Sequence, residues 1–335
     1  MQATNMQHEA TTESTPMHGL AGLLNVGNTC YANAVLQALR VIPSWTILVD
    51  KHRVKSEEGV PQKIFAAYQD VARTLWSHES VAGAICRPMA FWKEVHESVV
   101  DTVYESFNER IPHDSHEFLC YILDQCHEAL KEETTERHLY PDGYRSPVTD
   151  LIFGWDKVTV MCPCGHKTSR FEPFNMLKVP ISDSTEPSLV QHLISDRDND
   201  SLEGYTCDSC KKQDNIKLKR RLWKLPPTLF YVVKRFRPNG FKDTAHLAYD
   251  GAAVDFSEAF AEDSPYVTNN EYKPIATIDH MGSHMGGHYV AQAYHPLLKK
   301  WVVFDDESSH ILESGPHIGN QTYIIALTTD YNYTP

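Results

Sequence analysis

Chemistry in this chain is concentrated in a few cysteines, histidines and carboxylates at telling spacings. The stretch GLLNVGNTCYANAVLQAL sets Cys30 in the first turn of an amphipathic helix, just behind a Gly-containing loop. A helix N-terminus offers unpaired N–H groups and the positive end of a dipole, so this position predicts a thiol pKa below the usual one. A buried structural cysteine is the competing reading, because cysteine is buried as readily as apolar residues. A nucleophile also needs a base. HMGSHMGGHYVAQAY followed by KWVVFDD puts His288 at the start of one strand and Asp305 and Asp306 at the end of the next. If the two strands are neighbours, a carboxylate can fix the imidazole tautomer and the imidazole can take the thiol proton. His280, His284 and His288 fall at i, i+4 and i+8, a metal-ligand spacing on a helix, but Gly282, Gly286 and Gly287 oppose a helix there. His280, His284 and His295 are therefore assigned to packing or surface.

The other cysteines divide differently. Cys162 and Cys164 form CPC, Cys207 and Cys210 form CDSC, and a long insertion separates the pairs. Two pairs brought together by a hairpin-like excursion suit a tetrahedral structural zinc site. In a strand, residues i and i+2 face one side, so a CxC pair can converge on one metal. Cys86, Cys120 and Cys126 carry no motif, and Cys126 lies on an apolar helix face. The run IKLKRR (216–221) alternates, which reads as one solvated strand face and not as a nucleic-acid contact.

These groups need a scaffold. Residues 1–18 are polar and aperiodic and read as a disordered tail. Helical spacing follows from Tyr31 to Ile42 with Asn28 or Thr29 as N-cap, then from about Ile64 to Trp76, then from Asp114, where Glu117 completes the spacing of a capping box. From Leu151 the pattern turns to short strands: VTV before Cys162, LKVPI, TLFYVVKRF, YKPIATIDH, HYVAQAY, KWVVF and TYIIAL. Helices first and strands afterwards predict an α+β fold. Thr134–Asp150 and Ser182–Asn199, the latter around a helical stretch Leu189–Ile194, read as surface loops.

Composition narrows the function further. The chain has 335 residues, 41% of them hydrophobic, and 31 Lys+Arg against 44 Asp+Glu give a formal charge of −13. That acidity opposes a general nucleic-acid binder. No window of eighteen uninterrupted apolar residues predicts a membrane span. The first twenty residues lack the basic start and apolar core of a secretory signal, so an intracellular chain with reduced thiols is expected.

Taken together, the segments resemble the ubiquitin-specific proteases, the papain-like class of deubiquitinases. GLLNVGNTCYANAVLQAL is similar to the family's cysteine box and GGHYVAQAY…KWVVFDD to its histidine box. HDSHEFLCYILD resembles the segment between them, and YTCDSCKKQ…LWKLPPTLFYVVKRF the second zinc half-site and its following strand. The four blocks occur in family order. The resemblance implies one catalytic domain over 19–330, with a helical thumb (about 19–140), zinc-tipped β fingers (about 151–235) and a β palm (about 236–330, with contributions from the strands flanking the fingers).

It further implies Cys30 as nucleophile, His288 as general base, Asp305 as its orienting residue, Asp306 as the second polar residue and Asn25 as oxyanion donor. Read alone, Asn25 can also be a turn residue. Asp114 and Tyr289 match positions that hold the tail of ubiquitin, and Gly287, with Gly286, fits a mobile loop rimming the tail channel. Pro112 and His113 stand where the family has Gln-Gln. Cys162 is shifted by one from the family's CxxC, which would begin at Met161. The implied activity is hydrolysis of the bond after the C-terminal Gly of ubiquitin through a thioester, with structural Zn2+ on Cys162, Cys164, Cys207 and Cys210 and no catalytic cofactor. The implied partners are ubiquitin conjugates, with no nucleic acid, no membrane and a monomeric chain. Two alternatives stay open: a protease of another ubiquitin-like modifier, and a non-catalytic ubiquitin-binding scaffold.

Overall fold

The computed structural model describes residues 17–54, 59–137, 140, 142–181, 188–198, 200–201, 204–213, 215–237, 239–247, 249–268, 271–283 and 286–330. The expected tail therefore lies outside the described residues except for Met17 and His18, as do His284 and residues 182–187 of the expected 182–199 loop.

The first half is helical. Strand β1 (Gly22–Leu23) leads into α1 (Cys30–Leu39), α2 (Pro43–Lys51) and α3 (Val60–Trp76); β2 (Ile85–Cys86) pairs in parallel with β1 and precedes α4 (Met89–Ser98) and α5 (Ser115–Leu130). Every residue of α1 is buried, and Val35, Leu36 and Leu39 share a core with Ile64 and Phe65 of α3 and Phe118 and Ile122 of α5. Proline at the first turn starts α2 and α3, where its missing N–H costs nothing. The Asp114 carboxylate caps α5 by accepting from the His116 amide at 2.7 Å. The cap falls on the second helical residue, without the reciprocal bond a full capping box would add. No described helix is long and apolar enough to cross a membrane; α1 and α2 together have the length but are bent by 92° at their junction.

The 134–150 segment is more ordered than expected. After the short ribbon β3 (Glu132–Glu133) and β4 (Tyr144–Arg145), a Ser146–Thr149 capping box with Pro147 starts α6 (Pro147–Ile152), which buries Val148, Leu151 and Ile152. The strands follow: β5 (Gly154–Met161), β6 (Lys167–Phe174), β7 (Met176–Val179), then α7 (Leu189–Asp198), β8 (Asp200–Ser201), β9 (Lys217–Lys224) and β10 (Thr228–Val233). The last stretch holds β11 (Val254–Asp255), β12 (Glu271–Ser283), β13 (Gly286–His295), β14 (Lys300–Asp305), β15 (Ser308–Ile311) and β16 (Thr322–Thr328).

Two sheets result. The larger runs β15-β14-β13-β12-β16-β10-β7, with β11 also paired to β12. One of its faces, through Ala291, Ala293, Phe304 and Ile324, packs on the helices; the other, through Tyr231, Ile325 and Leu327, packs under α7 in a second core. The smaller sheet, β6-β5-β9-β8, is the excursion that carries the cysteine pairs, and the IKLKRR run lies in its strand β9. Asp156 of β5 is buried against Arg197 of α7 (2.7 Å), a charge pair that ties this sheet to the second core.

Candidate active site and zinc centre

The loop before α1 is shaped by backbone that few residues adopt. Gly27 (φ 119°) and Asn28 (φ 57°) are both left-handed, and Thr29 stands at the N-cap without a side-chain cap bond. This turn delivers Cys30 to the first residue of the helix, 6% exposed. Strand β13 packs directly across α1, which brings the backbone N–H of Tyr289 toward the Cys30 sulfur beside the amides at the start of α1. These donors lower the thiol pKa, yet the sum goes the other way. Burial pushes the thiol up, and the Asp306 carboxylate adds to the rise. The lowered pKa expected from the helix N-terminus is thus corrected: desolvation in the cleft outweighs the dipole and amide contributions.

Strands β13 and β14 are antiparallel neighbours, with Ala291 opposite Phe304. That register brings His288 and Asp305 together, with His288 Nε2 2.5 Å from Asp305 Oδ1. A carboxylate only accepts, so Nε2 carries the hydrogen and Nδ1 is left as the basic nitrogen. Asp306 follows in a left-handed conformation (φ 46°), and its carboxylate is bonded to the loop and helix that carry Cys30. Its Oδ2 accepts from Asn25 Nδ2 and its Oδ1 from Asn33 Nδ2, both at 2.8 Å. Asn25 is held at its other end too, since Oδ1 accepts from the amides of Gly27 (3.0 Å) and Thr29 (3.1 Å). Asn25 is therefore both a turn residue and a fixed amide. His288, Asp305 and Asp306 lie within 4.8 Å of one another, but protein hydrogen bonds already engage each of the three.

Asp114 and Tyr289 sit beside this cluster. Asp114 caps α5 with one oxygen and accepts from the Tyr323 hydroxyl with the other at 2.8 Å. The Tyr289 ring is 5% exposed and packs on His280, ring centroids 4.6 Å apart, while its hydroxyl reaches Ser115 at the start of α5. Gly286 and Gly287, expected in a mobile rim, are instead paired at the end of the β12–β13 hairpin. The reason for Gly287 is close packing: a Cβ there would meet His280 Nε2 and the Met281 carbonyl oxygen, each at 2.3 Å. His280 itself is 3% exposed and His295 fully buried, as packing residues are. Sequence reasoning missed Asn33, one helical turn beyond Cys30; the signal was an amide that, with Gln37, interrupts a largely apolar helix.

At the far end of the smaller sheet the four cysteines converge. Cys162 Sγ and Cys210 Sγ are 3.5 Å apart, Cys164 Sγ and Cys207 Sγ 3.8 Å, and all four sulfurs lie within 4.8 Å of one another. Four sulfurs bound tetrahedrally at ~2.3 Å to zinc would stand about 3.8 Å apart, so the donor set fits Zn2+. The CxC pair does not converge through the strand pleat. Strand β5 ends at Met161, and Cys162–Gly165 is a turn closed by Gly165 N–H to Cys162 O (2.9 Å). The second pair mirrors it, with Lys211 N–H to Cys207 O (2.9 Å). Gly165 (φ 92°) and Lys211 (φ 59°), each just after its second cysteine, take the left-handed backbone that curls both turns around one point. These four residues would hold the metal, which when bound supplies a cross-link between the two turns. Cys86 and Cys126 are buried in the helical core, and Cys120 is half-buried beside His116.

Comparison with known proteins agrees with this arrangement. The family model described as ubiquitin carboxyl-terminal hydrolase matches residues 21–326. Among similar proteins, ubiquitin carboxyl-terminal hydrolase Usp2 of Drosophila melanogaster is 27% identical over 92% of this chain and 34% of its own length. Ubiquitin carboxyl-terminal hydrolase 2 of Bos taurus is 26% identical over 94% of this chain and 56% of its own. The chain thus spans about a third to a half of the curated relatives it matches. In fold it is similar to a chain of the SAGA DUB module Ubp8/Sgf11/Sus1/Sgf73 bound to monoubiquitin (TM-score 0.74, 19% identity, 95% of this chain and 72% of that one). The same module bound to ubiquitin aldehyde gives a TM-score of 0.71 at 19% identity, covering 93% of this chain and 70% of that one. The α+β architecture is the papain-like one, with helical thumb, β palm and β fingers. By its family model and its fold, the chain belongs to the ubiquitin carboxyl-terminal hydrolase family.

Proposed function

We propose that this chain is a deubiquitinating cysteine protease that cleaves the bond after the C-terminal glycine of ubiquitin. The observation that carries the reading is the meeting of Cys30 with the β13–β14 pair: sulfur against the Tyr289 amide, and His288 bonded through Nε2 to Asp305. Because burial keeps Cys30 as a thiol, attack couples to proton transfer: His288 Nδ1 takes the proton as sulfur adds to the carbonyl carbon. Asn25 Nδ2 and the Cys30 amide stabilise the oxyanion, a contribution of roughly 3–4 kcal/mol for a well-placed donor. The intermediate collapses to a thioester as His288 gives its proton to the leaving amine. Water, deprotonated by His288, then releases ubiquitin and regenerates the thiol.

Asp114, Tyr289 and Gly287 are read as the rim that receives the ubiquitin tail, and the four-cysteine zinc centre as the brace of the fingers. Supporting the substrate assignment, the similar structures hold monoubiquitin in one case and ubiquitin aldehyde in the other. The partner is accordingly ubiquitin or its conjugates, approached by a single chain without nucleic acid or membrane, which the net charge of −13 favours. One thiol nucleophile and four thiolate ligands work only when reduced, which suits the cytoplasm or nucleus. The test is turnover of a fluorogenic ubiquitin amide beside the matching substrates of other ubiquitin-like modifiers, using wild type and Cys30→Ala. Cleavage of the ubiquitin substrate alone, lost in the variant, supports the reading. Preference for another modifier, or no cleavage of any, rejects it.

A further inference from the structure

We propose that Asn33 is a positioning residue for this reaction: it pins the Asp306 carboxylate, which in turn holds the Asn25 amide with one N–H free for the oxyanion. The inference rests on the deubiquitinase reading above. Asn33 lies one turn beyond Cys30 on α1 and is 2% exposed. Its Nδ2 is 2.8 Å from Asp306 Oδ1, 3.3 Å from the Leu23 carbonyl oxygen and 3.4 Å from that of Leu24. All three neighbours are acceptors, which fixes the amide's orientation. Its own Oδ1 is buried without a hydrogen-bond partner among the described residues. A core position kept polar in that state loses stability relative to an apolar residue of the same shape, so stability does not explain the amide.

The geometry beyond Asn33 supplies the explanation. Asp306 shares its two carboxylate oxygens between Asn33 and Asn25, and its backbone oxygen accepts from the Leu23 amide at 2.7 Å. The Asn25 amide is thus clamped at both ends, by Gly27 and Thr29 on the oxygen and by Asp306 on the nitrogen. Its second Nδ2 hydrogen has no partner among the described residues. The negative charge of Asp306 works against the Cys30 thiolate. A charge that hinders the nucleophile is useful here because it aligns the group that stabilises the tetrahedral intermediate. Asn33 keeps the Asp306 carboxylate in register with the Asn25 amide.

Steady-state hydrolysis of a fluorogenic ubiquitin amide tests this, with Asn33→Ala, Asn33→Ser, Asn25→Ala and the Asn25→Ala/Asn33→Ala double variant, each checked by thermal melting. Asn33→Ala is expected to lower kcat about tenfold, part of what a lost oxyanion donor costs, with KM within about twofold. The double variant should be no slower than Asn25→Ala, because Asn33 acts through Asn25. Alkylation of Cys30 by iodoacetamide, which forms no oxyanion, should keep its rate within about twofold. Should Asn33→Ala fail to fold, Asn33→Ser carries the same comparisons. An unchanged kcat, additive losses in the double variant, or alkylation falling in step with hydrolysis would each overturn the inference. A wild-type protein that does not cleave the substrate overturns instead the deubiquitinase reading on which it rests.

Discussion

The backbone N–H of Tyr289 faces the sulfur of Cys30, where the first turn of α1 packs on the strand that carries His288. That single contact sets the nucleophile in the same cleft as its base, although 258 positions separate the two in the chain. It also means that the thiol is buried where it reacts, and the acid–base behaviour of the site follows from that burial.

The first prediction concerns pH. Burial, then the Asp306 charge, raise the Cys30 thiol, while the Tyr289 amide lowers it. Asp306→Asn removes a raising contribution, so the thiolate should form at lower pH. The rate of iodoacetamide alkylation against pH should then move its rising limb toward acid. Hydrolysis of a ubiquitin amide should fall in the same variant, because an amide has one acceptor oxygen where the carboxylate serves both Asn25 and Asn33. A limb that stays or moves toward base contradicts the assigned charge effect.

Asp305 acts on the imidazole alone. Replacing it with Ala frees His288 Nε2 and lets the ring adopt the other tautomer or turn away from the sulfur. A loss of about 10²–10⁴ in kcat is expected, by analogy with other carboxylate-oriented histidines, with little change in KM. Kinetics on a ubiquitin amide decide it; a loss under threefold would transfer the orienting role to another group.

The zinc centre should be structural. Purified protein should hold one zinc per chain, and Cys207→Ser should lose it, because three thiolates and a hydroxyl bind zinc far more weakly. The variant should melt earlier and raise KM for ubiquitin substrates, yet leave iodoacetamide alkylation of Cys30 unchanged. Metal analysis showing well under one zinc in folded wild type contradicts the assignment.

Tyr323 donates to Asp114 across the junction of helices and sheet at 2.8 Å. Tyr323→Phe removes a hydrogen bond to a carboxylate, which should destabilise the protein by about 1–3 kcal/mol in a thermal or urea melt. It also frees one Asp114 oxygen, so KM for ubiquitin should change more than kcat. A change confined to kcat would separate Asp114 from substrate binding.

Gly287→Ala should be poorly tolerated, since the added methyl meets the His280 ring and the Met281 carbonyl. Loss of about 1–3 kcal/mol from overpacking is expected, together with reduced turnover as the neighbouring His288 shifts. An unchanged melt would mean that the His280 ring moves aside freely.

Much of this was legible in the sequence, for reasons that can be named. Strand β16 showed itself through an apolar run that the sheet buries on both faces, and β12, β13 and β14 through shorter apolar stretches between turn residues. The His288–Asp305 meeting followed from placing the two residues at opposite ends of adjacent strands. Helices α2 and α4 did not stand out, because each buries only three or four side chains and starts on a proline-containing loop. Helix α6 hid inside a polar stretch, where only Ser146-Pro147 marked its start. The thiol pKa was misjudged because sequence shows the helix dipole but not the sheet that desolvates it. Asn33 was missed because its role depends on Asp306, 273 positions away, and no local pattern signals such a contact.

The central claim is that Cys30 is the nucleophile for a ubiquitin C-terminal carbonyl. Incubating the protein with a ubiquitin C-terminal electrophile and mapping the adduct by peptide mass spectrometry tests it most directly. The account predicts a single adduct on Cys30, abolished in Cys30→Ala and strongly slowed in His288→Ala. An adduct on another cysteine, or none on folded, zinc-loaded protein, would contradict it.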